Sequence, residues 1–159
     1  MQPQDQSIAV IVVAAGSGTR AGGLPKQYRS IGRRPILARS LGAFMALPAI
    51  GRIVCVIDPA FEAEYRTAID GLADDPRLTE PVAGGATRQA SVLAGLEALA
   101  PFAPDLVLIH DAARPILPAA VTRRLIAGLA VQPGAIPVLP VVDSLAEERD
   151  GVMLSLIHI

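Results

Sequence analysis

The chain has 159 residues, the size of one compact domain, and 52% of them are hydrophobic against 18% charged, a balance foreign to a disordered tail or linker. Its 14 Lys and Arg against 15 Asp and Glu leave a net charge of -1, which gives no global field for nucleic acid or an anionic membrane surface. Aromatics at 3%, with no Trp, offer no platform for stacking single-stranded bases.

The first seven residues are polar and carry no signal-peptide pattern, and no apolar run approaches the ~20 residues of a membrane span. The expectation is a cytoplasmic protein that contacts neither membrane nor nucleic acid. Ile8–Ala14 is a continuous apolar run, the pattern of a strand buried on both faces of a parallel sheet. Pro35 suits a first helical position, and Leu37, Leu41, Phe44 and Met45 follow at helical spacing until Pro48 closes the segment. A second strand is expected over residues 52–57, with the single cysteine, Cys55, as a small buried hydrophobe. One cysteine excludes an internal disulfide and a cysteine-based zinc cluster.

A polar helix follows over residues 59–70, then a strand over 78–83 and a helix from about Thr87, whose Val92, Leu93, Leu96 and Leu99 form a stripe read as its core face. Residues 105–109 read as another buried strand, 118–130 as a helix, and 135–142 as a strand despite internal prolines. Asp150-Gly151 is a hairpin-turn dipeptide, which predicts a short projecting β-arm between Leu145 and Leu154. The alternation implies a doubly wound α/β sheet, mostly parallel, in a single domain over 1–159. In such sheets ligands sit outside the carboxyl ends of the strands, so the loops after the first, third and fourth strands should converge there.

Those loops carry the chemistry. The first, residues 14–28, holds Ala14, Ala15, Gly16 and Gly18, small enough for backbone N–H groups to approach phosphates, with Arg20 and Lys26 as cations. Gly16-x-Gly18-x-x-Ala21 matches a dinucleotide fingerprint, but Gly22, Gly23 and Pro25 interrupt the helix that motif needs, and no Gly-Lys-Ser/Thr of a P-loop is present. The plain alternative is a strand-to-helix turn with two solvated cations. The second loop, Gly84-Gly85 before a helix start, makes an anion or nucleobase site with Arg88 and Ser91 as donors, or simply a capped helix. The third presents His110-Asp111-Ala112-Ala113-Arg114-Pro115. Asp111 is suited to Mg²⁺, which takes one or two protein carboxylates and completes its shell with water and phosphates, or to loop capping. Arg114 would face a second phosphate or form a surface ion pair, and His110 is read as structural.

These segments, Ala-Ala-Gly-Ser-Gly-Thr-Arg at 14–20, Pro-Lys-Gln-Tyr at 25–28, Gly-Gly-x-x-Arg-x-x-Ser-Val at 84–92 and His-Asp-Ala-Ala-Arg-Pro at 110–115, resemble 2-C-methyl-D-erythritol 4-phosphate cytidylyltransferases from about residue 8 to 152. The resemblance implies a Rossmann-like nucleotidyltransferase fold and cytidylyl transfer from CTP to methylerythritol phosphate in isoprenoid biosynthesis, with a divalent cation such as Mg²⁺ and a homodimer joined through a β-arm. It implies Arg20 and Lys26 as the catalytic cations. Ala14, Ala15, Gly16, Gly18, Gly85, Arg88, Ser91 and Ala112 would surround the nucleotide. Asp111 would hold the metal, and Asp111, Arg114 and Ser144 would line the acceptor, Ser144 replacing the usual Thr. The family pattern continues past Val152 with further acceptor and metal residues, so the expectation is a C-terminally incomplete fold, an atypical tail at 154–159 and impaired turnover. A cytidylyltransferase for another alditol phosphate, such as ribitol 5-phosphate, and a non-catalytic CTP-binding fragment are the alternatives; sugar-phosphate and molybdenum-cofactor nucleotidyltransferases share mainly the first loop.

Overall fold

The computed structural model describes residues 6–16, 23–140, 145–150 and 152–157. Chain order runs from strand β1 (Ile8–Ala14) through a hairpin of β2 (Ser30–Ile31) and β3 (Arg34–Pro35) into helix α1 (Ile36–Met45) and strand β4 (Ile50–Ile57). Helix α2 (Glu62–Ala68), strand β5 (Val82–Ala83), helix α3 (Arg88–Leu99), strand β6 (Leu106–Asp111) and helix α4 (Ala119–Leu129) follow, then a hairpin of β7 (Leu145–Arg149) and β8 (Val152–Ile157). The main sheet has the order β5-β4-β1-β6, and every pairing in it is parallel.

Central placement explains the unbroken apolar run of β1: Val10, Ile11 and Val12 are wholly buried because helices cover both faces. On one face Val10, Val12 and Ala14 pack with Leu37, Leu41 and Phe44 of α1, Tyr65 of α2 and Ile126 of α4. On the other, Ala9, Ile11, Val54 and Val56 pack with Leu99 of α3. Cys55 is wholly buried and free, as expected from its apolar run. Among the described residues no helix is long and apolar enough to cross a membrane.

Several sequence expectations change. Pro35 stands at the N-cap of α1 and pairs with Ser30 across a hairpin turned by Gly32 at φ +63°, a feature the helical spacing did not announce. The strand expected over 78–83 is reduced to a bridge from Ile53 to Leu78 and the two residues of β5, with Pro81 between them unable to donate to a ladder. Residues 135–140 form no strand: Pro137 and Pro140 lack N–H groups, and Ile136, Val138 and Leu139 are exposed. The α3 stripe is also displaced. Leu93 and Leu96 are exposed, and the buried residues are Ser91, Gly95 and Leu99. Gly95 sets that face, because a Cβ there would stand 2.7 Å from Ile11 Cγ2 and 3.1 Å from Val56 Cγ2, so the helix lies close against the sheet. The expected arm is present as the β7–β8 hairpin, with Asp150 at φ +53° in its turn.

Candidate active site

Parallel pairing brings the carboxyl ends of β1, β4, β5 and β6 to one edge of the sheet. Successive strands run outward from β1 to β5, then β6 returns to the other side of β1, so the chain reverses its direction of winding where Ala14 and Asp111 end their strands. A cleft of about 740 Å³ opens there, lined by Val13, Ala14, Ala15, Gly16, Lys26, Gln27, Gly85, Ala86, Thr87, Arg88, Ser91, Asp111, Ala113 and Arg114.

Its floor is the end of β1. Gln27 is buried and donates both Nε2 protons, to the carbonyls of Ala14 at 2.7 Å and Gly16 at 2.9 Å. Those carbonyls are thereby turned toward Gln27, which fixes the loop's backbone against the 3-10 turn Lys26–Tyr28. Pro25, Gln27 and Tyr28 are buried and Lys26 is exposed, so the turn is anchored by its neighbours and directs the ammonium group to the cleft. The glycine pair forms one wall. A Cβ on Gly84 would stand 2.3 Å from Ala15 Cβ and one on Gly85 2.5 Å from Ala90 Cβ, so only glycines permit this approach of loop to helix. Thr87 caps α3, its hydroxyl accepting from Ala90 N at 3.1 Å, and Ser91 Oγ accepts from Gly85 N at 3.2 Å.

The opposite wall is an ion cluster. Asp111 Oδ1 accepts from Arg88 Nε at 3.1 Å and Nη2 at 3.0 Å, and its Oδ2 accepts from Arg114 Nε at 2.9 Å. Partial burial alone would raise the Asp111 pKa; the hydrogen bonds from Arg88 and Arg114 outweigh it and hold the carboxyl below its usual range. Asp111 is therefore an anion at neutral pH. Burial holds His110 below the usual histidine value, and its Nε2 lies 2.9 Å from the carbonyl oxygen of Arg114.

Nine of the site residues expected from sequence thus meet in one cleft: Ala14, Ala15, Gly16, Lys26, Gly85, Arg88, Ser91, Asp111 and Arg114. Ser91 lines it with its hydroxyl engaged by the Gly85 and Thr87 backbone, and Ala112 is buried in the core rather than in the cleft wall. Gly18, Arg20 and Ser144 lie outside the described residues. Gln27 is a further site residue that the sequence expectations do not include; the only signal for it is its place beside Lys26 in the Pro-Lys-Gln-Tyr segment.

One carboxylate fits the needs of Mg²⁺, which takes few protein ligands. Both Asp111 oxygens are engaged by guanidinium groups, yet Oδ2 accepts a single hydrogen bond and retains capacity for a cation. Among the described residues no three acidic, histidine or cysteine side chains cluster as a complete metal cage.

A family model described as 2-C-methyl-D-erythritol 4-phosphate cytidylyltransferase matches residues 8–156. A protein of Bradyrhizobium sp. BTAi1 named bifunctional enzyme IspD/IspF is 50% identical over 143 residues, covering 89% of this chain and 35% of that protein. The protein of the same name from Rhizorhabdus wittichii is 51% identical over 142 residues, again 89% of this chain and 35% of the relative. The chain thus spans about a third of the length of these curated relatives. The crystal structure of 4-diphosphocytidyl-2C-methyl-D-erythritol synthase from Anaerococcus prevotii superimposes with a TM-score of 0.78 at 27% identity, over 91% of this chain and 61% of that one. The 2-C-methyl-D-erythritol 4-phosphate cytidylyltransferase of Thermus thermophilus gives 0.66 at 26% identity, over 96% and 63%.

Proposed function

Because the chain belongs to the 2-C-methyl-D-erythritol 4-phosphate cytidylyltransferase family, we propose that its cleft binds CTP and serves cytidylyl transfer to methylerythritol phosphate. The observation that carries this reading is the meeting, at one sheet edge, of a small-residue loop, the Lys26 ammonium and the Asp111–Arg114 pair. In the reaction a phosphate oxygen of the acceptor attacks the α-phosphorus of CTP, a new P–O bond forms, and the bond to the β-phosphate oxygen breaks to release pyrophosphate. Such a transfer asks the protein for positioning and charge stabilisation rather than for an acid/base pair.

Lys26 would offset charge developing on the transferred phosphoryl group and the departing pyrophosphate, with Arg20 as its partner. The Ala14, Ala15, Gly16 and Gly18 loop would hold the triphosphate, and Gly85, Arg88 and Ser91 the cytosine and ribose. Arg114 and Ser144 would face the acceptor phosphate. Asp111 would hold Mg²⁺, which when bound would neutralise phosphate charge. A homodimer assembled through the β7–β8 arm and a cytoplasmic setting complete the reading.

The test is calorimetric titration of the chain with Mg-CTP beside Mg-ATP and NAD. Selective CTP binding is expected; NAD binding would restore the dinucleotide alternative, and no binding by any would remove the nucleotide site. In the full-length protein, pyrophosphate release with methylerythritol phosphate is expected to exceed that with ribitol 5-phosphate, and the reverse order would overturn the acceptor. Mn²⁺ titration should give weak binding alone and tight binding with CTP; tight binding without nucleotide would contradict a one-carboxylate site.

A further inference from the structure

The turn that presents Asp111 and Arg114 is held from beneath by two side chains that do not line the cleft. Ser40, in the middle of α1 and wholly buried, donates its hydroxyl proton to the carbonyl of Ala112 at 2.8 Å, across 72 residues of sequence. His110 sits at the end of β6 with its ring in a T-shaped contact with Phe44 of the same helix, the centroids 5.2 Å apart and the planes at 75°. Its Nε2 lies 2.9 Å from the carbonyl oxygen of Arg114. A carbonyl can only accept, so Nε2 carries the proton and donates.

Backbone bonds complete the frame. Ala112 N donates to Val13 O at 3.0 Å, and Arg114 N donates to Asp111 O at 3.0 Å. Every bond named here falls within the four residues from Asp111 to Arg114, and the two supplied by side chains both start from the α1 side of the sheet. Their product is the position of the two charged groups: Arg114 Nε meets Asp111 Oδ2 at 2.9 Å, leaving the pair on the cleft wall.

We propose that His110 and Ser40 are positioning residues, which lock the Asp111–Arg114 turn so that the Arg114 guanidinium, paired with the Asp111 carboxylate, faces the acceptor phosphate in a fixed arrangement. This rests on the reading of Asp111 and Arg114 as the acceptor side of the cleft. The role is one of geometry: neither side chain touches a reacting atom, and each acts through a carbonyl of the turn. A displacement of about 1 Å at such a group can cost on the order of a hundredfold in rate.

The experiment compares His110→Phe, which keeps a ring against Phe44 and removes the donor, with His110→Gln, whose amide can place a donor near the same point, and with Ser40→Ala. In the full-length protein His110→Phe is expected to lower kcat/KM for methylerythritol phosphate by about ten- to a hundredfold, with the KM for CTP changed less than twofold, and His110→Gln to recover most of the loss. Amide exchange measured without ligand should be at least about tenfold faster at Arg114 in His110→Phe, and at Ala112 in Ser40→Ala, with β1 amides unchanged. Unchanged exchange in both variants would overturn the lock whether or not the protein turns over. Equal impairment of His110→Phe and His110→Gln, or parallel rises in both KM values, would reduce His110 to a packing residue and overturn the positioning role. Wild-type protein that turned over no alditol phosphate while its turn amides responded as expected would overturn the acceptor reading and the function assigned to the lock with it.

Discussion

Gly84 and Ala15 meet where the loop after β5 crosses the loop after β1, and the approach leaves no room for a side chain on the glycine: a Cβ there would stand 2.3 Å from Ala15 Cβ and 2.9 Å from Ser91 Oγ. The Gly84 backbone is therefore packed directly against the Ala15 methyl and the Ser91 hydroxyl on this side of the cleft.

Gly84→Ala tests this directly. The Ala15 methyl, the nearest of these contacts, has no flexible end that can swing aside, so the added methyl must separate the loops. Overpacking of this kind costs about 1–3 kcal/mol, and the urea midpoint should fall accordingly. CTP binding by calorimetry should weaken by at least tenfold. Retention of both stability and CTP affinity would show that the loops are not held in this contact.

Lys26 makes the complementary prediction. The buried Pro25 and Gln27 anchor its turn while its own side chain is exposed, so Lys26→Ala should leave stability within about 0.5 kcal/mol. In the full-length protein kcat should fall by about a hundredfold or more, the scale seen when one preorganised charge-stabilising group is removed. Pyrophosphate release under saturating CTP is the measurement, and unchanged turnover would exclude Lys26 from charge stabilisation.

How far the sequence revealed these features depends on which force fixes each one. Burial on both faces writes itself into β1 as an apolar run, and the strand-end rule for open sheets then places Ala14, Gly16 and Asp111 together. The α3 face departs from the apolar stripe because Leu93 and Leu96 suggest burial by hydrophobicity, whereas the observed face follows from the closeness that Gly95 allows against Ile11 and Val56. Residues 135–140 have strand-like apolar residues, but Pro137 and Pro140 cannot donate to a ladder. At the site, motifs identified the charged groups. The Gln27 staple and the Ser40 and His110 supports are long-range hydrogen bonds to backbone carbonyls, and no local pattern encodes such a partner.

Cys55 should be chemically silent in the folded protein. It is wholly buried in β4, and burial pushes its thiol up to about 12, so the thiolate that reacts with disulfide reagents is scarce at neutral pH. Native protein mixed with Ellman's reagent at pH 8 should label slowly, at a rate set by opening of the sheet, and stoichiometrically once unfolded in urea. Rapid native labelling would mean that the strand is accessible from one face.

Asp75 and Arg77 give the fold a specific acid response. Arg77 is half-buried; its Nη2 donates to Met45 O at 2.8 Å, at the end of α1, and to Asp75 Oδ2 at 2.7 Å, while its Nε donates to Asp75 Oδ1 at 2.9 Å. The side-chain hydrogen bonds from Arg77, supported by one from its backbone N–H, bring the Asp75 carboxyl down to about 2 from its ordinary 3.8. A carboxyl with a depressed folded-state pKa contributes stability that is fully present above the unfolded value and is lost as pH falls through the folded one. The contribution of this pair should therefore be complete above about pH 5 and should fade between the ordinary 3.8 and about 2. Asp75→Asn should be less stable than wild type at pH 6, and the difference in urea midpoint between the two should shrink steadily as pH is lowered through that window. Arg77→Ala should be worse at neutral pH by about 1–3 kcal/mol, because it also strips a partner from the Met45 carbonyl at the helix end. A difference between wild type and Asp75→Asn that stayed constant down to pH 2 would show that the carboxylate is not held by Arg77 in solution.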